Sequence, residues 1–285
     1  CSLLEPILRS KYPAISIEEQ EISVQLQILC LAILDSIFIF ILNSVSPSWD
    51  AIRQDICTSL IHEKAPRTSD IISQTYCSSD VFFIQEAAAV FVQHLTTDAQ
   101  FTSQYIPLHP PNLDGKRDQN SLILVKRTSF EESSCKDQTR RVVDRLGGVF
   151  LAPGDLLAVS ACDVHGRSWL LVSFHGDSNG LSTQPVIASV FEVARRDFKS
   201  HLLLIGMDAN TCTSAPDRLY CDVSRFSAFL LEEGAVSIWD AEAIACVCTA
   251  CSSRTCLQTQ FNKATRMGDR SSSRHGNLKD WIVGL

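Results

Sequence analysis

The chain has no long uninterrupted apolar run. Its most apolar stretch, Ile28–Leu42, is 15 residues and carries Asp35, too short and too interrupted for a membrane span. That stretch is expected to be a buried helix or strand, and no transmembrane span is expected. The chain also lacks the G-x-S-x-G turn of serine hydrolases. Neither a G-x-x-x-x-G-K-[ST] phosphate loop nor a clean G-x-G-x-x-G follows a strand. Basic residues are in deficit, 25 Lys and Arg against 32 Asp and Glu, which excludes a uniformly basic nucleic-acid-binding surface. The excess of acid sits in residues 1–100, with five basic residues against twelve acidic. Twelve cysteines follow no small-domain disulfide spacing, and no secretory leader is expected. Cys30, Cys246 and Cys248 lie inside apolar runs, as reduced cysteines do. A reducing, intracellular compartment, cytoplasm or nucleus, is the expectation. Cys246, Cys248, Cys251 and Cys256 lack the paired C-x2-C knuckles of common zinc sites, and no zinc is expected there.

What is present is a series of short apolar runs, each bounded by polar residues. Ile37–Leu42 runs into Asn43, Asp80–Ile84 into Gln85 and Glu86, and Ser121–Val125 follows Asn120. Leu156–Ser160, Trp169–Ser173, Leu202–Ile205 and Trp281–Val283 complete the set. Runs of three to six such residues read as buried strands. Trp49–His62 and Thr183–Phe198 carry helical periodicity; in the second, Val186, Ile187, Val190, Phe191 and Ala194 share one face. Two packed sheets with helices outside fit this pattern. Residues 1–27 read as a lead-in and 28–285 as one domain. Six basic residues against one acid between Arg254 and Lys279 suit either a solvated loop or a polyanion.

The strand ends carry the chemistry. Glu86 follows a wholly apolar strand, where a carboxylate is costly without a cation or a donor. Asp208 and Asn210 are two residues apart on an extended segment and point to one side. There they could take a proton from water and hold an oxyanion, or merely close an Asx turn. His175 ends a strand in SFHGDSNG, where an imidazole can act as acid or simply be structural.

The order of these elements resembles the endonuclease/exonuclease/phosphatase superfamily. The strings LNSVSPSWDAIR, DVFFIQEA, QNSLIL, APGDL, SFHGDSNGL, GMDANT, RTCLQTQFNKA and NLKDWIV look like a branch of it found in microbial eukaryotes. The resemblance implies an α/β fold of the DNase I-like kind, a two-layer β-sandwich flanked by helices in four layers, α/β/β/α. It implies hydrolysis of a phosphodiester or phosphomonoester by in-line attack of water, with Mg2+, or Mn2+ in its place. Glu86 would be the principal metal ligand and Asn43 would orient the phosphate or the acid beside it. His175 would contact the scissile phosphate, Asp208 would activate water, and Asn210 would hold a phosphoryl oxygen. Asp280 would buttress a later histidine. The substrate would be a nucleic acid, an inositol phosphate or a phospholipid head group, with no obligate protein partner.

The family's terminal S-D-H segment does not follow Asp280 in this sequence, and CVCTACSSRTC stands where a more aromatic stretch is expected. On that basis the last strand is expected to be missing, and the chain as given to turn over phosphodiesters negligibly. The competing expectation is a non-catalytic binding module of the same fold.

Overall fold

A computed structural model describes residues 5–115, 117–212, 220–240, 244, 247, 249–251 and 276–285. The chain forms two compact units, Cys1–Lys64 and Ala65–Leu285, so the division falls later than the expected one at residue 28.

The first unit is helical. Helix α1 (Ile17–Glu21) opens on a capping box in which Ser16 and Glu19 satisfy each other's backbone N–H. Helix α2 (Ser23–Val45) and helix α3 (Trp49–Cys57) follow, the latter continued by a wider turn at Thr58–His62. The strand expected at Ile37–Leu42 is the last part of α2, a correction with a local cause. From Ser23 to Val45 there is no Gly or Pro, so a helix once nucleated propagates through the run. Ser36 and Ser44 add hydroxyl bonds back to the carbonyls of Ala32 and Phe40, 2.8 Å each. The expected burial also fails: Ile28 is 52% exposed and Phe40 73%. With its flanks included, the helix has 23 residues and is long and apolar enough to cross a membrane by length and composition alone.

The second unit begins at Ala65, within α4 (Lys64–Asp70), and holds two sheets. Strands β1 (Val81–Ala87), β2 (Tyr105–Leu108) and β3 (Asn120–Lys126) form an antiparallel sheet in the order β1-β3-β2. The second sheet takes β4 (Lys136–Asp137), β5 (Leu156–Cys162), β6 (Ser168–His175), β7 (Leu202–Asp208) and β8 (Val236–Ser237). A small ladder pairs β9 (Ala250–Cys251) with β10 (Gly276–Asn277), and β11 (Asp280–Gly284) inserts between β7 and β8. Only β6 and β7 run parallel within this sheet. Their connection is α8 (Thr183–Asp197), as a parallel crossover requires.

Side-chain alternation sorts the two faces of each strand. On β3, Leu122 and Leu124 pack outward beneath α5 (Ala89–Thr97) and α6 (Ala99–Gln104), against Phe91, Leu95 and Phe101. Ile123 and Val125 turn inward and meet Leu157, Val159 and Leu171 of the second sheet. On the far side, Leu170, Val172 and Phe174 of β6 pack under α7 (Thr139–Val143), α8 and α9 (Val223–Glu232), against Val142, Val190, Phe191 and Phe226. The layers are α/β/β/α. Phe83 of the first sheet packs directly over Gly206 of the second, where an added Cβ would lie 2.3 Å from the Phe83 ring.

Candidate active site

His175 and Asp208 are register partners at the C-terminal ends of the parallel pair β6 and β7, where α/β sheets gather ligand-binding groups. The facing sheet contributes the Gln-Glu pair at the end of β1. Gln85 reaches across the sandwich, its amide donating to Ser173 Oγ at 3.0 Å and to the Gly206 carbonyl at 3.2 Å. The next residue breaks the ladder: the register shifts between Ile84 and Ala87, and Glu86 takes φ 56°. A bulge with a left-handed non-glycine residue re-aims a side chain at a cost of roughly 1–3 kcal/mol. Here it turns the Glu86 carboxylate toward His175, Nε2 to Oε1 3.6 Å, where Gln119 Nε2 donates to Oε1 at 3.0 Å.

Glu86, Gln119, His175 and Asp208 line a cavity of about 590 Å³ together with Arg117, Phe150, Asp155, Asn210 and Lys279. Asp208 Oδ1 accepts the Asn210 backbone N–H at 2.9 Å, so the Asx turn forms. It also sets Asn210 at φ 49° with its side chain inward. Asn210 Nδ2 donates to the Gly176 carbonyl at 2.8 Å and lies 3.5 Å from His175 Nε2. Asp280 pairs with Asp208 across the antiparallel β7–β11 ladder. Burial, with Asp280 adding like charge, raises the Asp208 pKa against the pull of the Asn210 N–H, Lys279 and His175.

Four of the six residues singled out in the sequence therefore line one cavity, Glu86, His175, Asp208 and Asn210, and Asp280 stands beside them in register. Asn43 is the exception. It lies on α2 of the first unit rather than at a strand end, exposed, and its Oδ1 accepts from Trp49 Nε1. Asp177, also noted in the sequence, organises the loop above α8. Its carboxylate accepts from the Ser182 N–H and hydroxyl, 2.7 Å each, and from the Asn179 N–H. Although burial opposes it, those donors hold its pKa below the ordinary carboxylate value. The residues Cys246, Cys248 and Cys256, His275 and most of the basic run from Arg254 lie outside the described residues.

Sequence reasoning missed Asp155, Gln119, Arg117 and Lys279. Asp155 Oδ1 lies 3.7 Å from His175 Nδ1, each side chain 10% exposed, and 3.0 Å from Arg117 Nη1. Neither Asp155 Oδ1 nor His175 Nδ1 completes a hydrogen bond within the protein, so the Arg117 contact is one of charge. The Asp155 carboxylate is the largest cause raising the His175 pKa, opposed by burial and aided by Glu86 and Asp208. A usable signal was present: Asp155 stands directly before the apolar run Leu156–Val159, much as Glu86 stands after one. Gly154 before it has φ 89°, and a Cβ there would meet the Gln119 carbonyl at 2.4 Å.

Among the described residues, no group of three or more His, Cys, Asp or Glu side chains could by itself hold a metal. A half-exposed carboxylate at an open cavity fits a different arrangement, one protein oxygen with water and substrate oxygens, which is the coordination Mg2+ favours.

The fold is the DNase I-like fold. The endonuclease/exonuclease/phosphatase of Bacteroides vulgatus superposes with a TM-score of 0.51 at 12% identity, over 78% of each chain. D. rerio TDP2, in complex with single-strand DNA product, gives 0.48 at 12% identity over 79% of this chain and 77% of its own. The human Nocturnin catalytic domain, with bound sulfate, gives 0.47 at 12% identity over 78% and 74%. Residues 1–54 match a domain of unknown function, DUF8234. No curated protein matches the chain.

Proposed function

We propose that the second unit hydrolyses phosphoric esters with Mg2+ at Glu86. The observation that carries this reading is the convergence of Glu86, His175, Asp208 and Asn210 on one cavity of a DNase I-like sandwich. Mg2+, when bound, would polarise a phosphoryl oxygen and offset its charge. Asp208, made a stronger base by burial, takes the proton from the attacking water. Asn210 Nδ2 donates to a phosphoryl oxygen as charge builds on it. His175, whose raised pKa favours the imidazolium, donates its proton to the leaving oxygen as the P–O ester bond breaks. Asp280 opposes ionisation of Asp208 through like charge and so strengthens it as a base.

The rim favours one substrate class. Phe150 is 82% exposed although it lines the cavity, an open ring face beside the phosphate position. Aromatic faces of that kind stack nucleobases without sequence preference. A single-turnover screen with Mg2+ and the protein in excess, across single-stranded DNA and RNA, inositol phosphates and phospholipid head groups, is expected to give slow cleavage in the nucleic-acid arm. Cleavage confined to a lipid or inositol arm would overturn the substrate assignment. No cleavage in any arm would overturn the enzymatic one.

A further inference from the structure

We infer that Lys279 binds the substrate phosphate, as the cation that neutralises a non-bridging oxygen next to Asn210. The inference rests on the phosphoesterase reading of the cavity and adds to it a residue outside the assigned set. Lys279 is held in place before its side chain is considered: its carbonyl accepts the Ala209 N–H at 2.8 Å, and its N–H donates to Thr249 Oγ1 at 2.9 Å. The strand it leads into, β11, is paired on both sides. From that rigid position Nζ enters the cavity and donates to Asn210 Oδ1 at 2.5 Å.

Two consequences follow from the chemistry of an ammonium group. It has donors and no acceptor, so it can face only the oxygen of the Asn210 amide. Nδ2 is thereby turned toward Gly176 and His175, the orientation that offers a donor to an oxyanion. The second concerns charge. Besides His175, two basic side chains line the cavity, Arg117 and Lys279. Arg117 is engaged by Asp155 and by Gln119 Oε1, whereas Lys279, whose charge acts on Asp208, has no carboxylate among the described residues within ion-pair distance. An ammonium not closed into an ion pair stays open to an anion from solution. Its neighbour Asn210 is placed to share that anion.

Charge and orientation separate by substitution. Lys279→Gln removes the charge but keeps an N–H donor for Asn210 Oδ1, and Lys279→Arg keeps both. The full chain would be titrated with inorganic phosphate by calorimetry and assayed on the substrate found in the screen, with melting temperature as the control for folding. Lys279→Gln is expected to weaken phosphate binding at least tenfold and to lower kcat/KM about 10²-fold, the scale for losing one oxyanion partner. Lys279→Arg is expected to recover most of both, with melting unchanged in each variant. Phosphate binding and turnover equal to wild type in Lys279→Gln would overturn the inference and leave the phosphoesterase reading standing. Phosphate binding that needs Lys279 in a chain that cleaves nothing would do the reverse. Wild-type protein that binds no phosphate would overturn the inference outright.

Discussion

His175 sits between carboxylates from three strand ends or loops: Asp155 on its Nδ1 side, Glu86 on its Nε2 side, and Asp208 beside it in register. The first of these matters most to its proton affinity, because Asp155 is the largest cause of its raised pKa. Replacing Asp155 by Asn keeps the shape and removes the charge. In metal-free protein, NMR titration of the His175 imidazole should then show its pKa fall from above the ordinary value of about 6.5. The sign fixes the window. A histidine with a raised folded pKa stabilises the fold fully below the unfolded pKa, and that contribution is lost as pH rises through the folded one. Asp155→Asn should therefore lose more stability at pH 5 than at pH 9. A His175 titration unmoved by the substitution would mean that Glu86 and Asp208 set its proton affinity instead.

Strands show where sequence patterning succeeds and where it stops. β1, β3, β5, β6, β7 and β11 each lie within a few residues of an apolar run bounded by polar residues, and in β3, β5 and β6 burial on both faces demands that continuous apolarity. α8 is equally plain from its single apolar face. Ile37–Leu42 reads as a strand by the same rule but belongs to a 23-residue helix, since a short apolar run carries no period to distinguish the two. Of the site, Glu86, His175, Asp208 and Asn210 stood out at or just after the ends of apolar runs, and their order, through the family resemblance, gave them roles. Lys279 gave no such signal and Asp155 only its place before a strand, because both act through partners distant in sequence. Gly206 falls between these cases: its role depends on Phe83 of the facing sheet, 123 residues earlier. Gly206→Ala must push the sheets apart or displace that ring, and overpacking of this kind costs about 1–3 kcal/mol. Chemical denaturation should show that loss; an unchanged midpoint would mean that the sheets can separate freely at this point.

The two units differ in the character of their surfaces. The second buries its apolar residues between and outside its sheets, whereas the first carries a long helix whose apolar side chains are exposed around its circumference. The chemistry assigned here belongs to the second unit. One cavity of that unit is proposed to hold both the metal-binding carboxylate and the base for attack on a phosphate ester. Single-turnover cleavage of single-stranded DNA, with enzyme in excess and Mg2+ present, is the decisive measurement, because it registers slow chemistry without requiring turnover. Cleavage is expected that chelation abolishes and that Glu86→Ala and Asp208→Ala each reduce by at least about 10²-fold, with the folded state retained. Cleavage that persists under chelation, or that survives both substitutions undiminished, would contradict that proposal.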